Sequence, residues 1–95
     1  MPWRNQNAYP LTVASLRSKA PLMEGVYGIR SGDRWLYVGH SEDLRRRLIE
    51  LFQDRSNPIH KYPNLEFLCE VTPMGLDRVR QLLNEFRPLC NSPYD

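Results

Sequence analysis

The sequence of 95 residues lacks the features that identify several common classes of protein. Its two cysteines, Cys69 and Cys90, form no CxxC pair, and no His or Cys cluster has zinc spacing, so we expect packing residues and neither a disulfide nor a metal finger. No apolar stretch approaches the roughly 20 residues of a membrane span, and residues 1–6 lack a basic segment followed by an apolar one. We therefore expect a cytoplasmic protein that has no signal peptide and no membrane contact.

An excess of charge of one sign is also lacking. Thirteen Lys and Arg residues against 11 Asp and Glu residues give a net charge of +2 and a pI near 8.7. That is well short of the basic stripe that by itself indicates a nucleic-acid-binding protein. The composition, 41% hydrophobic and 25% charged, is that of an ordinary globular protein, and the length suits one domain with a modest core. Charge therefore permits contact with nucleic acid without indicating it.

The middle of the chain is patterned as a hairpin followed by a helix. Gly25–Arg30 and Arg34–Val38 are rich in β-forming residues, and a Ser-Gly-Asp turn lies between them, which predicts a β-hairpin. Gly39 then breaks the strand, and Ser41 is a candidate N-cap for a helix over residues 42–53. The predicted buried stripe of that helix consists of Leu44, Leu48, Leu51 and Phe52.

The flanking segments complete an α+β domain. Residues 65–71 alternate as a half-buried strand does, and residues 75–86 predict a helix that ends before Pro88. Residues 1–23 are interpreted as an N-terminal extension with a short helix from Pro10 through Arg17, before a domain over residues 24–95. The predicted fold is a small three-stranded sheet flanked by helices in the order (α)ββαβα. The predicted inward face of the last helix consists of Leu76, Val79, Leu83 and Phe86.

Four short motifs follow one another at a fixed spacing. They are Gly25-Val26-Tyr27, Tyr37-Val38-Gly39, Arg47 ten residues beyond Tyr37, and Phe86-Arg87-Pro88-Leu89-Cys90-Asn91. Taken together and in this order, over about residues 24–91, they resemble the GIY-YIG nuclease superfamily. The resemblance implies a compact endonuclease domain that cleaves nucleic-acid phosphodiester bonds, with DNA favoured over RNA as its substrate.

The resemblance also implies roles for individual residues. In the family, two tyrosines bind or deprotonate the attacking water and an arginine steadies charge on the phosphate. A glutamate on the later helix holds one divalent metal, and an asparagine after that helix supports the site. The matching catalytic residues in this sequence are Tyr27, Tyr37, Arg47 and Asn91. The implied cofactor of a catalytic domain is Mg²⁺ or Mn²⁺.

The sequence departs from the family pattern at the metal ligand. The glutamate should stand at position 79, where this sequence has Val79, and a valine cannot coordinate Mg²⁺, which needs oxygen ligands. Asp77 and Glu85 lie well off the inward face by helical counting. Three functions therefore stay open: a metal-dependent endonuclease, a non-catalytic nucleic-acid-binding or protein-interaction module on the same scaffold, and a metal-independent nuclease in which Arg47 and His40 replace the cation.

Cooperation between the two tyrosines depends on the connection of the hairpin, because strand side chains alternate between faces. A three-residue loop would place Tyr27 directly opposite Tyr37, whereas a two-residue turn would set them on opposite faces. The resemblance therefore predicts an odd-numbered loop in which Gly32 or Asp33 takes a positive φ. Trp35 would then share the face of the tyrosines and offer a stacking surface.

Several residues near the motifs are candidates for contacts with a nucleic-acid backbone. His40 follows the second motif and could donate to a phosphate, Arg45 belongs to a run of three arginines, and Lys61 lies in a loop flanked by prolines. The predicted nucleic-acid-binding residues are Gly39, His40, Arg45 and Lys61. Each also has a plain structural explanation as part of a turn, a solvated helix face or an exposed loop. A domain of this size also suggests that a protein partner, or the shape of the substrate, supplies specificity.

Overall fold

A computed structural model describes residues 7–89, which form four strands and three α-helices. In chain order they are β1 (Tyr9–Pro10), α1 (Val13–Lys19), β2 (Gly25–Ser31), β3 (Arg34–Ser41), α2 (Leu44–Gln53), a 3-10 turn (Pro58–Lys61), β4 (Leu65–Val71) and α3 (Gly75–Phe86). Cys90 and Asn91, the latter predicted to support the site, lie outside the described residues. No helix among residues 7–89 has the length and apolar character needed to span a bilayer.

The sheet is antiparallel with the strand order β1-β4-β2-β3. The α+β class is confirmed, and the predicted order (α)ββαβα is present, but the sheet has four strands and not three, because β1 precedes that order and pairs at the edge beside β4. In β1, Tyr9 lies opposite Phe67. A strand of two residues is too short to show an alternation of apolar and polar side chains, and Pro10 argues against a strand. The sequence pattern therefore did not predict β1.

The N-terminal segment packs on this sheet. The helix predicted from Pro10 through Arg17 is present but shifted, since it spans Val13–Lys19. Thr12 caps it, because its side-chain hydroxyl accepts a hydrogen bond from the backbone N–H of Ser15 at 3.2 Å. Leu16 and Ala20 are fully buried in the same cluster as the sheet residues.

Helix α2 begins later than predicted. Its N-cap is Asp43, whose carboxylate accepts from the backbone N–H of Arg46 at 3.2 Å. Ser41, the predicted cap, instead accepts from the backbone N–H of Asp43 at 3.1 Å and so shapes the turn before the helix. Serine and aspartate are both favourable N-cap residues. Ser41 is still part of β3, so the helix begins after Asp43.

Helix α3 has the predicted bounds, but its inward face differs from the prediction. Leu76 is 70% exposed, whereas Leu82 is fully buried. Gly75 packs directly against the ring of His40, where a Cβ would overlap it, and this contact fixes the rotation of the helix. The buried stripe therefore passes through Gly75, Val79 and Leu82, with Leu76 about 100° away from its start.

The hairpin between β2 and β3 has a two-residue turn, so the predicted odd-numbered loop is wrong. Ser31 lies opposite Arg34, and Gly32 has a φ of 58°, which confirms the positive φ predicted for this turn. The register then shifts. Arg30 pairs with Trp35, whereas Ile29, the residue before Arg30, pairs with Tyr37, so Leu36 has no partner in β2. This extra residue of β3 forms a β-bulge. The bulge shifts the alternation of faces by one residue, which offsets the effect of the two-residue turn on the face of Tyr37.

The bulge puts both tyrosines on one face, as predicted, although not opposite each other. Tyr27 pairs with Gly39, and Tyr37 pairs with Ile29 two positions further along the hairpin, so the two rings are diagonal neighbours. Trp35 lies on the other face, contrary to the prediction, where its ring packs 4.6 Å from that of Phe86.

Buried side chains form one cluster on each face of the sheet. We call the side covered by α1 and α2 the tyrosine face and the side covered by α3 the α3 face. The tyrosine-face cluster includes Leu16, Tyr27, Ile29, Leu36, Tyr37, Leu44, Leu48, Leu51, Ile59, Phe67 and Cys69. The α3-face cluster consists of Val26, Val38, Leu68, Val79 and Leu82, with Trp35, Leu83 and Phe86 packed against it.

Candidate functional site

Two tyrosines stand in parallel on the tyrosine face. The rings of Tyr27 and Tyr37 are stacked, with centroids 6.0 Å apart and planes 7° from parallel. Both side chains are buried. Gly39 makes this possible, because a Cβ at that position would overlap the hydroxyl oxygen of Tyr27. The structure thus gives Gly39, predicted as a nucleic-acid contact, a role in seating the first tyrosine.

The guanidinium of Arg47 joins the two hydroxyl groups. Partial burial alone would lower the pKa of Arg47, but hydrogen bonding and Coulombic attraction to Tyr27 and Tyr37 raise it above the ordinary arginine value. The group is therefore positively charged at every pH at which the protein is folded. Its side chain remains 38% exposed, so it also reaches solvent. Three of the predicted catalytic residues thus converge.

A carboxylate that the sequence analysis did not single out stands beside this arginine. Glu50 Oε1 lies 3.6 Å from a terminal nitrogen of Arg47, and Glu50 Oε2 lies 3.5 Å from Nε of Arg46. The sequence could have indicated these contacts, because Glu50 follows Arg47 by three residues and Arg46 by four, and side chains at those spacings face each other on a helix. These side chains line an open groove of about 330 Å³ together with Ser41, Glu42 and Asp43.

His40 is not brought to the tyrosine pair. It lies on the α3 face opposite Val26, and its Nε2 is 3.1 Å from Oε2 of Glu24. Arg45 is engaged elsewhere as well, since its Nε donates to the backbone carbonyl of Ala20 at 2.9 Å and ties α2 to the end of α1. The structure therefore does not bring either of these two predicted contacts to the tyrosine pair.

The 3-10 turn lies near the end of α2. His60 Nε2 is 3.0 Å from the backbone carbonyl of Leu51, and Lys61 is exposed next to it. The pKa of Asp54 is lowered, first by hydrogen bonds from Ser56 and to a smaller degree by the positive charges of His60 and Arg47. Lys61, a predicted backbone contact, is thus exposed in the 3-10 turn that follows α2.

The residues at the predicted metal position do not fit a divalent cation. Val79 is 7% exposed and packs among aliphatic side chains that include Val26, Val38 and Leu82. Such groups offer no oxygen ligand to Mg²⁺ or Mn²⁺. Within residues 7–89, no group of three or more His, Cys, Asp or Glu side chains is placed to hold a metal ion. The described part of the chain thus supplies no carboxylate set for metal-assisted chemistry.

Comparisons with known proteins identify the fold. No protein-family model matches the chain, and no curated protein sequence matches it. Among solved structures, the GIY-YIG N-terminal endonuclease domain of UvrC from Thermotoga maritima, bound to its catalytic divalent cation magnesium, superposes with a TM-score of 0.65. It is 20% identical, and the match covers 85% of this chain and 100% of that one.

Point mutants of the same UvrC domain match equally well. A variant with a tyrosine replaced by phenylalanine has a TM-score of 0.64 at 20% identity, covering 85% of this chain and 100% of that one. A variant with an asparagine replaced by alanine has a TM-score of 0.65 at 19% identity, covering 85% and 99%. Similarity at this level of identity demonstrates a common fold. The chain therefore has the fold of the GIY-YIG nuclease superfamily.

Proposed function

We propose that this chain binds the phosphodiester backbone of nucleic acid at Tyr27, Tyr37 and Arg47, with DNA preferred over RNA. The observation that carries this proposal is the contact of one half-exposed guanidinium with two stacked phenols. A guanidinium has five N–H donors in a planar fork, so donors remain for a phosphate after the tyrosines are satisfied. Because the tyrosines already restrict the arginine, binding a phosphate costs little further side-chain entropy.

Two cations near Arg47 support this proposal, and they stand against the carboxylates of Glu42, Asp43 and Glu50 in the same groove. Arg46 is 79% exposed on the groove beside Arg47, and Lys61 is exposed near the end of the same helix. Cations near a phosphate backbone add affinity by releasing condensed counterions. Gly39 contributes by seating Tyr27, and Asn91 keeps the supporting role that the family resemblance implies.

Cleavage of the phosphodiester is the second candidate function. It is favoured by the intact arrangement of two tyrosines and an arginine on a nuclease fold. Hydrolysis needs an oriented water, stabilisation of charge on the non-bridging oxygens and stabilisation of the leaving oxygen. The hydroxyls would orient the water and Arg47 would hold the phosphate. Position 79 supplies no metal ligand, and for this reason we rank binding before cleavage.

The binding proposal is tested by fluorescence anisotropy with matched duplex DNA, branched DNA, single-stranded DNA and RNA over a range of salt concentrations. We expect Arg47→Ala to weaken binding to DNA about tenfold and to reduce the salt slope by about 0.9, the value for one phosphate contact. Arg46→Ala is the matched control, because it removes the same charge from the next residue without touching the tyrosines. Equal losses for the two variants would reduce the site to general electrostatic attraction.

Cleavage is tested separately on plasmid and branched DNA with Mg²⁺, with Mn²⁺ and with EDTA. We expect retention of DNA without cleavage. Cleavage that EDTA and Arg47→Ala both abolish would establish the metal-dependent enzyme in place of the binding module. Cleavage that survives EDTA would instead establish a metal-independent reaction, in which cations of the protein replace the metal.

A further inference from the structure

A second exposed surface lies at the start of α3. Seven large hydrophobic side chains are exposed among the described residues, and five of them belong to two neighbouring segments. These five are Leu22, Met23, Val71, Met74 and Leu76. The segments are joined by the pairing of Gly25 with Val71 and by a backbone hydrogen bond of 3.2 Å from Thr72 to Glu24. Exposed apolar side chains concentrated in this way are typical of an interaction surface.

Part of this surface is a preformed groove of about 290 Å³. It is lined by Glu24, His40, Pro73, Met74, Gly75, Leu76 and Asp77. Two contacts hold the imidazole of His40 in place at this groove, because the ring packs against Gly75 and bonds to Glu24 at 3.1 Å. Met74 and Leu76 are 61% and 70% exposed, so an incoming apolar group would remove both from water.

The charges of this groove decide which partner it suits. Glu24 and Asp77 are both exposed carboxylates at the groove, and the neighbouring Arg78 is directed to a buried ion pair with Glu70 at 2.7 Å. A phosphate would meet two negative charges here, whereas a cationic side chain would be complementary to them. The charge therefore argues against nucleic acid and for a basic polypeptide.

We propose that this groove docks a polypeptide segment of a protein partner that presents an arginine or lysine beside an apolar side chain. The cation lies toward Glu24 and Asp77, and the apolar side chain packs on Met74 and Leu76. The groove is on the α3 face, so it is separate from the tyrosine face and leaves the proposed nucleic-acid site open. Such a partner would supply specificity to the proposed nucleic-acid site.

The test is a titration of the isotopically labelled chain with short synthetic peptides, followed by NMR. A peptide that alternates leucine and arginine should shift the amide signals of Gly75, Leu76 and Asp77 to saturation. A leucine–glutamate peptide and a serine–arginine peptide, which each lack one half of the proposed chemistry, should bind about tenfold more weakly or not at all. Equal binding of the three peptides, or shifts confined to other residues, would overturn the proposal.

Substitutions then locate the site. Leu76→Ser and Asp77→Asn, both at exposed positions, should each weaken the leucine–arginine peptide about tenfold, and Val13→Ser, an exposed apolar residue of α1, should not. Arg47→Ala should leave peptide binding intact, which separates failure of this proposal from failure of the nucleic-acid site. Duplex DNA that shifts the same amides, or self-association that Leu76→Ser abolishes, would assign the groove to a different occupant and refute the proposal.

Discussion

The two faces of the sheet use arginine in opposite ways. On the tyrosine face, Arg47 contacts the hydroxyl groups of Tyr27 and Tyr37, lies 3.6 Å from the exposed carboxylate of Glu50 and stays 38% exposed, so a ligand can still reach its charge. On the α3 face, the side chain of Arg78 is 11% exposed and is neutralised by Glu70, which is itself buried. A cation held by phenol oxygens and an exposed carboxylate can serve binding, whereas a cation held by a buried carboxylate anchors the fold. The partner of an arginine therefore distinguishes the two roles better than its position on a helix.

Removing the anchoring cation should give the largest effect. Arg78→Ala takes away a pair of hydrogen bonds of 2.7 and 3.2 Å from the buried carboxylate of Glu70. We expect a loss of about 4 kcal/mol in the free energy of unfolding, because the carboxylate stays buried without its countercharge. Urea unfolding measures this loss. Arg80→Ala, at an exposed position of the same helix, should cost less than about 0.5 kcal/mol, and similar losses for both would contradict the anchoring role.

Placing a carboxylate in the α3-face cluster should have the next largest effect. Val79→Glu buries an ionisable group among aliphatic side chains and should lower the free energy of unfolding by about 3 kcal/mol without metal. If position 79 corresponds to the metal ligand of the fold, Mg²⁺ should restore part of the melting temperature of this variant and leave the parent chain unchanged.

Val79→Gln is the control for that substitution, because it has the same length and hydrogen-bonding atoms but no charge. An identical response of the glutamate and glutamine variants to Mg²⁺ would contradict our alignment of position 79 with the metal ligand. A metal response of the glutamate variant alone would support that alignment.

Two glycines allow the faces to be compared directly. A Cβ at Gly39 would overlap the ring of Tyr27, and a Cβ at Gly75 would overlap the ring of His40. Alanine at either position should cost about 2 kcal/mol of stability, because an aromatic ring must move. Only Gly39→Ala should also weaken DNA binding, measured by anisotropy on folded protein. Equal binding losses for both variants would mean that the faces are not functionally separate.

The smallest effect concerns the thiol of the tyrosine-face cluster. Burial raises the pKa of Cys69 from its ordinary value of 9.0 to about 12, because the thiolate would lose its hydration. The folded state thus keeps the proton while the unfolded chain releases it, so this contribution is complete below about pH 9 and is lost as the pH rises toward 12. At pH 10 the loss should be about 1 kcal/mol relative to pH 8.

Urea unfolding of the parent chain and Cys69→Ala at both pH values isolates this contribution, since other groups titrate in both proteins. We expect the stability difference between them to narrow at pH 10. A difference that does not change with pH would show that the thiol is ionised or accessible in the folded state.

The sequence predicted the elements with strong local signals and did not predict those set by distant contacts. The bounds of α3 were predicted from Gly75 at its start and from Pro88, two residues after its end at Phe86. Strand β1, by contrast, exists only because β4 offers an edge for pairing. Its two residues have no preference that could be detected alone.

The candidate site shows the same division. The convergence of Tyr27, Tyr37 and Arg47 was predicted from the resemblance of the motifs to the GIY-YIG superfamily, although a bulge and not the predicted three-residue loop puts the tyrosines on one face. The position of Arg45 was not predictable, because its side chain bonds to the carbonyl of Ala20, 25 residues earlier in the chain. The position of His40 away from the tyrosines has a related cause. Because strand side chains alternate between faces, Gly39 lies beside Tyr27 and the side chain of His40 lies on the other face.

The β-bulge of the hairpin bears on how such sequences are aligned. A two-residue turn with one extra residue in β3 keeps both tyrosines on one face, as a three-residue loop with a regular ladder would, but it sends Trp35 to the other face. Insertions and deletions near the turn can therefore be absorbed by gaining or losing a bulge, with both tyrosines kept on one face. Alignments that penalise every gap in this hairpin will miss homologous chains whose motif tyrosines remain in contact.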